Sequence, residues 1–181
     1  MICRKRFWLL CALLALNSTN ALAVTINFSA LLIRGTCSFS LDKSLLPLGY
    51  VARTQLKPAT LIAVQPFTLW VRDCNLSIDG LLPVVSISGE GVLQGGKWLF
   101  RSGDSAAKNV GVMLVKSDVP PSYSEPEVKS GDTFPLAARG VNPVDQPLRF
   151  YAGMTCGADD TCAEAGLGLL TARVLFTLSF R

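Results

Sequence analysis

Apolar residues along this chain come in short runs rather than in long periodic stretches. Phe67–Val71, Val84–Ser88, Lys97–Arg101, Val110–Val115, Phe134–Ala138 and Leu148–Tyr151 are rich in branched and aromatic side chains. Between them stand Asp79-Gly80, Gly95-Gly96, Ser102-Gly103-Asp104, Pro120-Pro121, Ser130-Gly131 and Asn142-Pro143. Glycine allows positive φ and proline fixes φ, so these clusters read as turns. No long stretch carries a 3.6-residue apolar period. Short strands at this spacing predict an all-β sandwich. Pro120–Lys129, rich in proline and hydroxyls, reads as an exposed loop.

The two ends are the most regular parts. Gly168, Leu170, Ala172, Val174, Phe176, Leu178 and Phe180 fall on one side of an extended chain. Thr171, Arg173, Leu175, Thr177, Ser179 and Arg181 fall on the other, which is mostly polar. Nearer the start, Val24, Ile26, Phe28, Ala30 and Leu32 share a face, with Thr25, Asn27 and Ser29 opposite and Leu31 as an exception. Each reads as a sandwich strand with one buried face. The first one, followed by Arg34-Gly35-Thr36, also reads as a free arm. An exposed apolar strand aggregates unless another molecule takes it.

The residues before that arm have a different character. Arg4, Lys5 and Arg6 precede an apolar run from Phe7 to Leu16, and Ala21-Leu22-Ala23 has the small-x-small form of a cleavage site. This is the order of a secretory signal peptide, expected to be cut after Ala23. The polar Asn17–Asn20 interrupts the run short of the ~20 residues a spanning helix needs. Removal takes three of 17 basic residues and none of 13 acidic ones, so the net charge falls from +4 to +1. No basic patch then argues for nucleic acid. No later apolar segment is long enough for stable membrane insertion. The remainder suits one domain with a real core.

Cys3 and Cys11 leave with the signal, and Cys37, Cys74, Cys156 and Cys162 remain, an even set suited to an oxidising compartment. Their spacing leaves three pairings open, of which Cys37–Cys74 with Cys156–Cys162 is favoured. In the chain-entropy picture the longer loop contributes ~4 kcal/mol and the shorter ~2 kcal/mol.

Catalytic chemistry finds little footing. The sequence contains no His, which removes Ser-His and Cys-His arrangements and His-containing zinc sites. It has no C-x-x-C pair. Gly91–Lys97 resembles the start of a phosphate loop, but Trp98 stands where Ser or Thr must bind magnesium, so a hairpin turn explains the glycines better. Asp159-Asp160 offers too few oxygens for a hard cation and reads as a solvated turn. No cofactor, metal site or enzymatic activity is expected.

Taken in order, these features resemble the pilins of chaperone-usher fimbriae, such as type 1 and P pili. The resemblance rests on a signal peptide, an alternating arm and Cys37. It continues with Cys74 closing Phe67-Thr68-Leu69-Trp70-Val71-Arg72-Asp73-Cys74, and with a last strand that opens at Gly168 and has a penultimate aromatic, Phe180. The family more often has Tyr at that aromatic, and a glycine seven residues before the first cysteine, where this chain has Ala30. The pair Cys156 and Cys162 also exceeds the family's usual single disulfide, which points toward a minor or adaptor subunit.

The resemblance implies an incomplete immunoglobulin-like sandwich lacking its seventh strand, completed by donor-strand exchange. It divides the chain into a signal peptide (1–23), an N-terminal donor extension (24–36) and a pilin domain (37–181). Val24, Ile26, Phe28, Ala30 and Leu32 would enter a neighbour's groove. The strand from Gly168 through Leu170, Ala172, Val174, Phe176, Leu178 and Phe180 would border the chain's own groove, and a chaperone would grip the carboxylate of Arg181. The implied partners are a periplasmic pilus chaperone, an outer-membrane usher and neighbouring pilin subunits. The implied destination is a cell-surface fimbrium supporting adhesion, reached through the periplasm. The alternative is a single-domain tip adhesin binding a host glycan or protein, for which Trp70 and Trp98 on a shared rim would be the mark.

Overall fold

Among the described residues, alternating apolar positions pair into nine strands. The computed structural model describes residues 34–77, 80–158 and 160–181; the expected signal peptide and the candidate donors Val24, Ile26, Phe28, Ala30 and Leu32 lie outside them. The strands are β1 (Arg34–Leu41), β2 (Ile62–Ser77), β3 (Pro83–Ser88), β4 (Gly91–Gln94), β5 (Lys97–Phe100), β6 (Gly111–Lys116), β7 (Thr133–Pro135), β8 (Gln146–Thr155) and β9 (Leu175–Phe180). Two short 3-10 turns, Arg53–Gln55 and Asp160–Glu164, complete the regular structure.

The strands form a six-stranded sheet in the order β1-β2-β8-β6-β5-β4 and a three-stranded sheet in the order β7-β3-β9. The ladders between them are antiparallel. Phe67, Leu69 and Val71 of β2, Leu114 of β6 and Leu148 and Phe150 of β8 face Val85, Ile87, Phe134 and Phe176 of the smaller sheet. The Phe150 ring sits 5.5 Å from those of Phe67 and Phe176 and 5.8 Å from that of Phe134, binding the layers through offset and tilted aromatic contacts. The fold is therefore the expected all-β sandwich.

The strand that carries Cys74 is longer than its apolar run. β2 extends for 16 residues through Pro66, carried by bulges at Ala63 (φ 53°) and Asp73 (φ 52°). Bulges bend and twist a strand, so a long one follows a curved sheet. The Asp73 N–H donates to Asp145 Oδ1 at 3.0 Å, which satisfies the group turned out of the ladder. β1 lies alongside, with Arg34, Gly35 and Thr36 opposite Ser77, Leu76 and Asn75. These three residues, grouped with the extension on sequence, thus already belong to a paired strand. Cys37–Cys74 ties β1 to β2, and Cys156–Cys162 closes the loop after β8. Gly95 (φ 56°) and Gly96 (φ 76°) make the tight β4–β5 hairpin that their motif favoured over a phosphate loop.

Two expectations change. The run Phe134–Ala138 yields only a three-residue strand, although the Leu136 N–H still donates to Pro83 O at 2.9 Å just beyond it. Pro120–Lys129 is not wholly exposed: Val128 is buried and bridges Leu114. Glu127 beside it reaches Lys97 Nζ at 3.1 Å and Lys129 Nζ at 3.3 Å, and accepts from the Trp98 N–H at 3.3 Å. Burial opposes its charge. Hydrogen bonds from its own backbone and from Lys97, Trp98 and Lys129 outweigh that and hold the carboxyl at about 2, against an ordinary 4.5.

A depressed carboxyl stabilises the fold above its unfolded value and loses that contribution as pH falls through the folded one. Glu127→Gln should cost roughly 2 kcal/mol at pH 7. Denaturant titrations of both proteins should show the gap shrink as pH falls from about 5 to about 2; a gap independent of pH would refute the assignment.

Candidate strand-binding groove

Among the described strands the smaller sheet ends at β9, whose outer edge has no described partner. Arg181 and Leu82 exchange backbone hydrogen bonds at 2.8 and 3.0 Å, which fixes the phase of the ladder. Antiparallel pairs alternate, so Leu175, Thr177 and Ser179 turn their N–H and C=O groups toward β3. Phe176, Leu178 and Phe180 turn theirs the other way, where no described strand pairs with them.

The expected strand from Gly168 to Phe180 is thus sheet only from Leu175 onward. Residues 169–173 stay extended but bond to a loop instead of to β3. The Ser102 N–H donates to Thr171 O at 2.8 Å, and the Ala106 and Ala107 N–H groups donate to Leu169 O. Ser105 Oγ donates to Thr171 O and accepts from the Thr171 N–H, at 2.8 and 3.0 Å. Ser102 Oγ accepts from the Arg173 N–H at 3.1 Å. Two serine hydroxyls replace ladder partners here, which no periodicity in the sequence announces. Arg173 and Asp104 add a bidentate pair at 2.9 and 2.7 Å, and the hydrogen bond and charge of Arg173 lower the carboxyl of Asp104.

The same alternation runs through both parts. Odd-numbered residues use their backbone groups on the loop or on β3. Leu170, Ala172 and Val174, like the even-numbered residues of β9, present theirs to the opposite side without a described partner. Their side chains point inward: Leu170 packs on a small cluster near the disulfide loop, and Ala172, Val174, Phe176 and Leu178 pack on the main core. None of these is fully buried.

Beside this edge lies an apolar groove of about 1020 Å³. Phe67, Phe100, Val112, Leu114 and Ala152 contribute to its floor, and residues 165–172 with Val174 and Phe176 form one wall. The opposite wall comes from Leu41–Leu56, where the chain leaves β2. The Asp42 N–H still donates to Thr68 O, and Lys43 Nζ donates to Pro66 O, but no ladder to β2 continues beyond. Leu46 and Leu48 turn partly inward, while Leu45 (82% exposed) and Tyr50 stand in solvent. Leu167 (76%) and Leu169 (72%) are exposed across the groove. Sequence reasoning missed this second wall, because Leu45-Leu46-Pro47-Leu48 does not alternate; the density of leucines around a proline was the available signal.

Of the expected site residues, Gly168 opens the extended segment, Phe180 closes β9 half-buried, and Arg181 is exposed with its backbone paired to Leu82. Arg139 Nη1 also donates to Arg181 O at 3.1 Å. Trp70 and Trp98 do not share a rim. Trp70 alternates with the buried Leu69 and Val71 on the outer face of its sheet, under the Arg72 guanidinium. Trp98 packs on the core side, edge-on to Phe100. Asp159 lies outside the described residues, and among the described ones no group of three or more acidic or cysteine side chains gathers as a metal site. No helix among them is long and apolar enough to cross a membrane.

No protein-family model and no curated protein sequence matches the chain. Solved structures do. The P pilus rod subunit PapA superposes with a TM-score of 0.51 at 14% identity, over 80% of this chain and 99% of that one. A chaperone-usher pilus chain, from a structure addressing rod uncoiling, gives 0.53 at 13% identity, over 91% of this chain and 99% of that one. The chain has the pilin fold. Among the described strands the three-stranded sheet has none beyond β9, and the groove lies beside that edge.

Gly168 carries a conformational demand that follows from this geometry. Its φ is +130°, and a Cβ there would meet Ala106 Cβ at 2.8 Å. Gly168→Ala should therefore destabilise the protein by about 1–3 kcal/mol. Thermal melting would check it, and an unchanged midpoint would show that the segment shifts freely away from the 102–107 loop.

Proposed function

We propose that this chain is a structural subunit of a chaperone-usher pilus, with a groove that accepts a strand and an N-terminal arm that donates one. The carrying observation is the coincidence of a strand edge that has no described partner with an apolar groove in a pilin fold. Main-chain hydrogen bonds along such an edge give affinity, and pockets for alternate side chains give specificity.

On this reading residues 1–23 direct export and are removed. A periplasmic chaperone covers the groove, with Arg181 at its anchoring end. At the outer-membrane usher, the arm of another subunit takes its place, and the product is a surface fimbrium supporting adhesion. Val24, Ile26, Phe28, Ala30 and Leu32 are the donor side chains. Burying one large aliphatic or Phe side chain is worth about 1.5–3 kcal/mol, so the set suffices for a durable joint. Cys156–Cys162, placed next to the groove, supports a specialised minor or adaptor subunit.

Chain geometry favours giving the arm to a neighbour. Arg34 and Leu41 are the two ends of β1, and only Leu41 borders the groove. Seven steps of about 3.3 Å separate them, so the arm begins ~23 Å from the level of the groove. Turning back along β1 would use most of residues 24–33 before the groove was reached.

Expression of the chain in a periplasm with and without a pilus chaperone tests this. A soluble one-to-one complex with chaperone, and loss or aggregation without it, is the expected result. A stable, monodisperse monomer in its absence would mean that the sandwich is complete as it stands.

A further inference from the structure

Two exposed apolar patches lie at opposite ends of the sandwich. Val141 (51% exposed) and Val144 (75%) flank the buried Pro143 in the loop before β8. Leu167 and Leu169 are exposed at the Gly168 end, on the side of their segment that alternation turns away from the core. Each patch sits on chain that is held in place. The Gly140 N–H donates to Leu81 O at 2.7 Å, and Asp145 Oδ1 accepts from the Asp73 N–H. The Gly166 N–H donates to Lys108 O at 2.8 Å, and Leu169 O accepts from the Ala106 and Ala107 N–H groups. Single exposed apolar residues are ordinary, but paired ones on fixed chain mark a contact surface. The geometry points to a head-to-tail contact in which Val141 and Val144 of one copy of this chain seat on Leu167 and Leu169 of another. This contact presupposes the strand-acceptor reading above, but it joins the bodies of the two copies rather than filling the groove.

Chain connectivity brings the two patches together. The arm from Val24 to Leu32 covers as many steps as the edge from Leu170 to Leu178. A strand that extends the β7-β3-β9 sheet in its antiparallel pattern runs opposite to β9, so a seated arm ends beside Gly168. Only Ile33 separates Leu32 from Arg34, which is already paired with Ser77 in β1. Two extended steps are ~7 Å, so the body of the donor begins directly at the Gly168 end of the acceptor. The part of the donor that arrives there carries the valines. Gly80 follows Ser77 by three residues, its carbonyl accepts from Arg139 Nη1 at 2.7 Å, and Val141 is two residues beyond that arginine.

The two patches differ and lie at opposite ends, so each copy offers one and receives on the other. Such a contact repeats along a row of copies instead of closing a pair. Four side chains cannot bury the ~1,200 Å² of a stable interface, so the contact holds nothing by itself. A seated arm changes this, because a short connection gives the tethered surfaces an effective concentration on the order of mM. A contact with a dissociation constant of ~0.1 mM then lengthens the life of the joint about tenfold.

Thiol cross-linking in assemblies of the mature chain tests this. Val141 or Val144 is changed to Cys together with Leu167 or Leu169, as in Val144→Cys/Leu167→Cys. Oxidation should link successive copies into ladders on denaturing, non-reducing gels for at least one of these pairs. Val119→Cys/Leu167→Cys, which joins Leu167 to an exposed residue elsewhere on the surface, should give no ladder. A second measurement does without added thiols. Val141→Asp/Val144→Asp should make assemblies come apart about tenfold faster under an excess of a peptide of residues 24–33. A fluorescein-labelled form of that peptide should leave the same variant at the wild-type rate. Assemblies that form, give no ladder from any pair and dissociate at the wild-type rate overturn the contact while leaving the acceptor reading intact. A ladder of equal strength from the Val119 pair overturns the contact as well. A wild-type chain that neither assembles nor binds the peptide overturns both.

Discussion

The open backbone edge from Leu170 to Phe180 is the constraint on which the rest of the molecule depends. A buried N–H or C=O without a partner costs about as much as a lost hydrogen bond. A strand can therefore complete an apolar core only if both of its edges are satisfied. Here one edge is satisfied by β3 and by the loop at 102–107, and the other has no partner among the described residues. The inward side chains consequently remain half-buried, although their neighbours Phe100 and Phe150 are sealed. Exposed apolar surface and backbone groups without a described partner occur together along this edge.

Both walls of the groove are pinned in place by polar contacts, and this keeps it from collapsing. On one side Ser102, Ser105 and the Asp104–Arg173 pair hold residues 169–173 against the loop. On the other, Asp42 and Lys43 hold the point where the chain leaves β2. The Asp104–Arg173 pair and the contacts at Asp42 and Lys43 are exposed and each contributes modestly, while the two serine hydrogen bonds are part-buried. Their effect is positional: they hold the walls far enough apart that the floor stays accessible.

Residues whose structure follows from periodicity were legible in the sequence. The inward set from Leu170 to Leu178 could be read by counting in twos, as could the cores of β2, β3, β5, β6 and β8. The Gly95-Gly96 hairpin was legible from turn chemistry. What escaped were features made by side-chain-to-backbone bonds. Nothing in Ser102 or Ser105 tells of the carbonyl and N–H they will meet nearly seventy residues away. The wall at Leu41–Leu56 escaped for a related reason: it is positioned by leaving a sheet, and irregular chain has no period. Val128 was hidden among prolines because its burial depends on Leu114, a partner distant in sequence.

The wall that sequence could not show also explains why residues 41–56 do not close the groove. Were Leu41–Leu56 able to continue as a strand, it could cross to the free edge of β9 and complete the sandwich unaided. Pro47 lacks the donor such a ladder needs, and Gly49 adopts a positive φ of 82° that no regular strand uses. Leu45 and Tyr50, left outside, lie on the groove's rim rather than in its floor. The segment thus lines the groove without being able to fill it. A sequence that placed its leucines in alternation here would make a more stable monomer, but one with no edge left to offer.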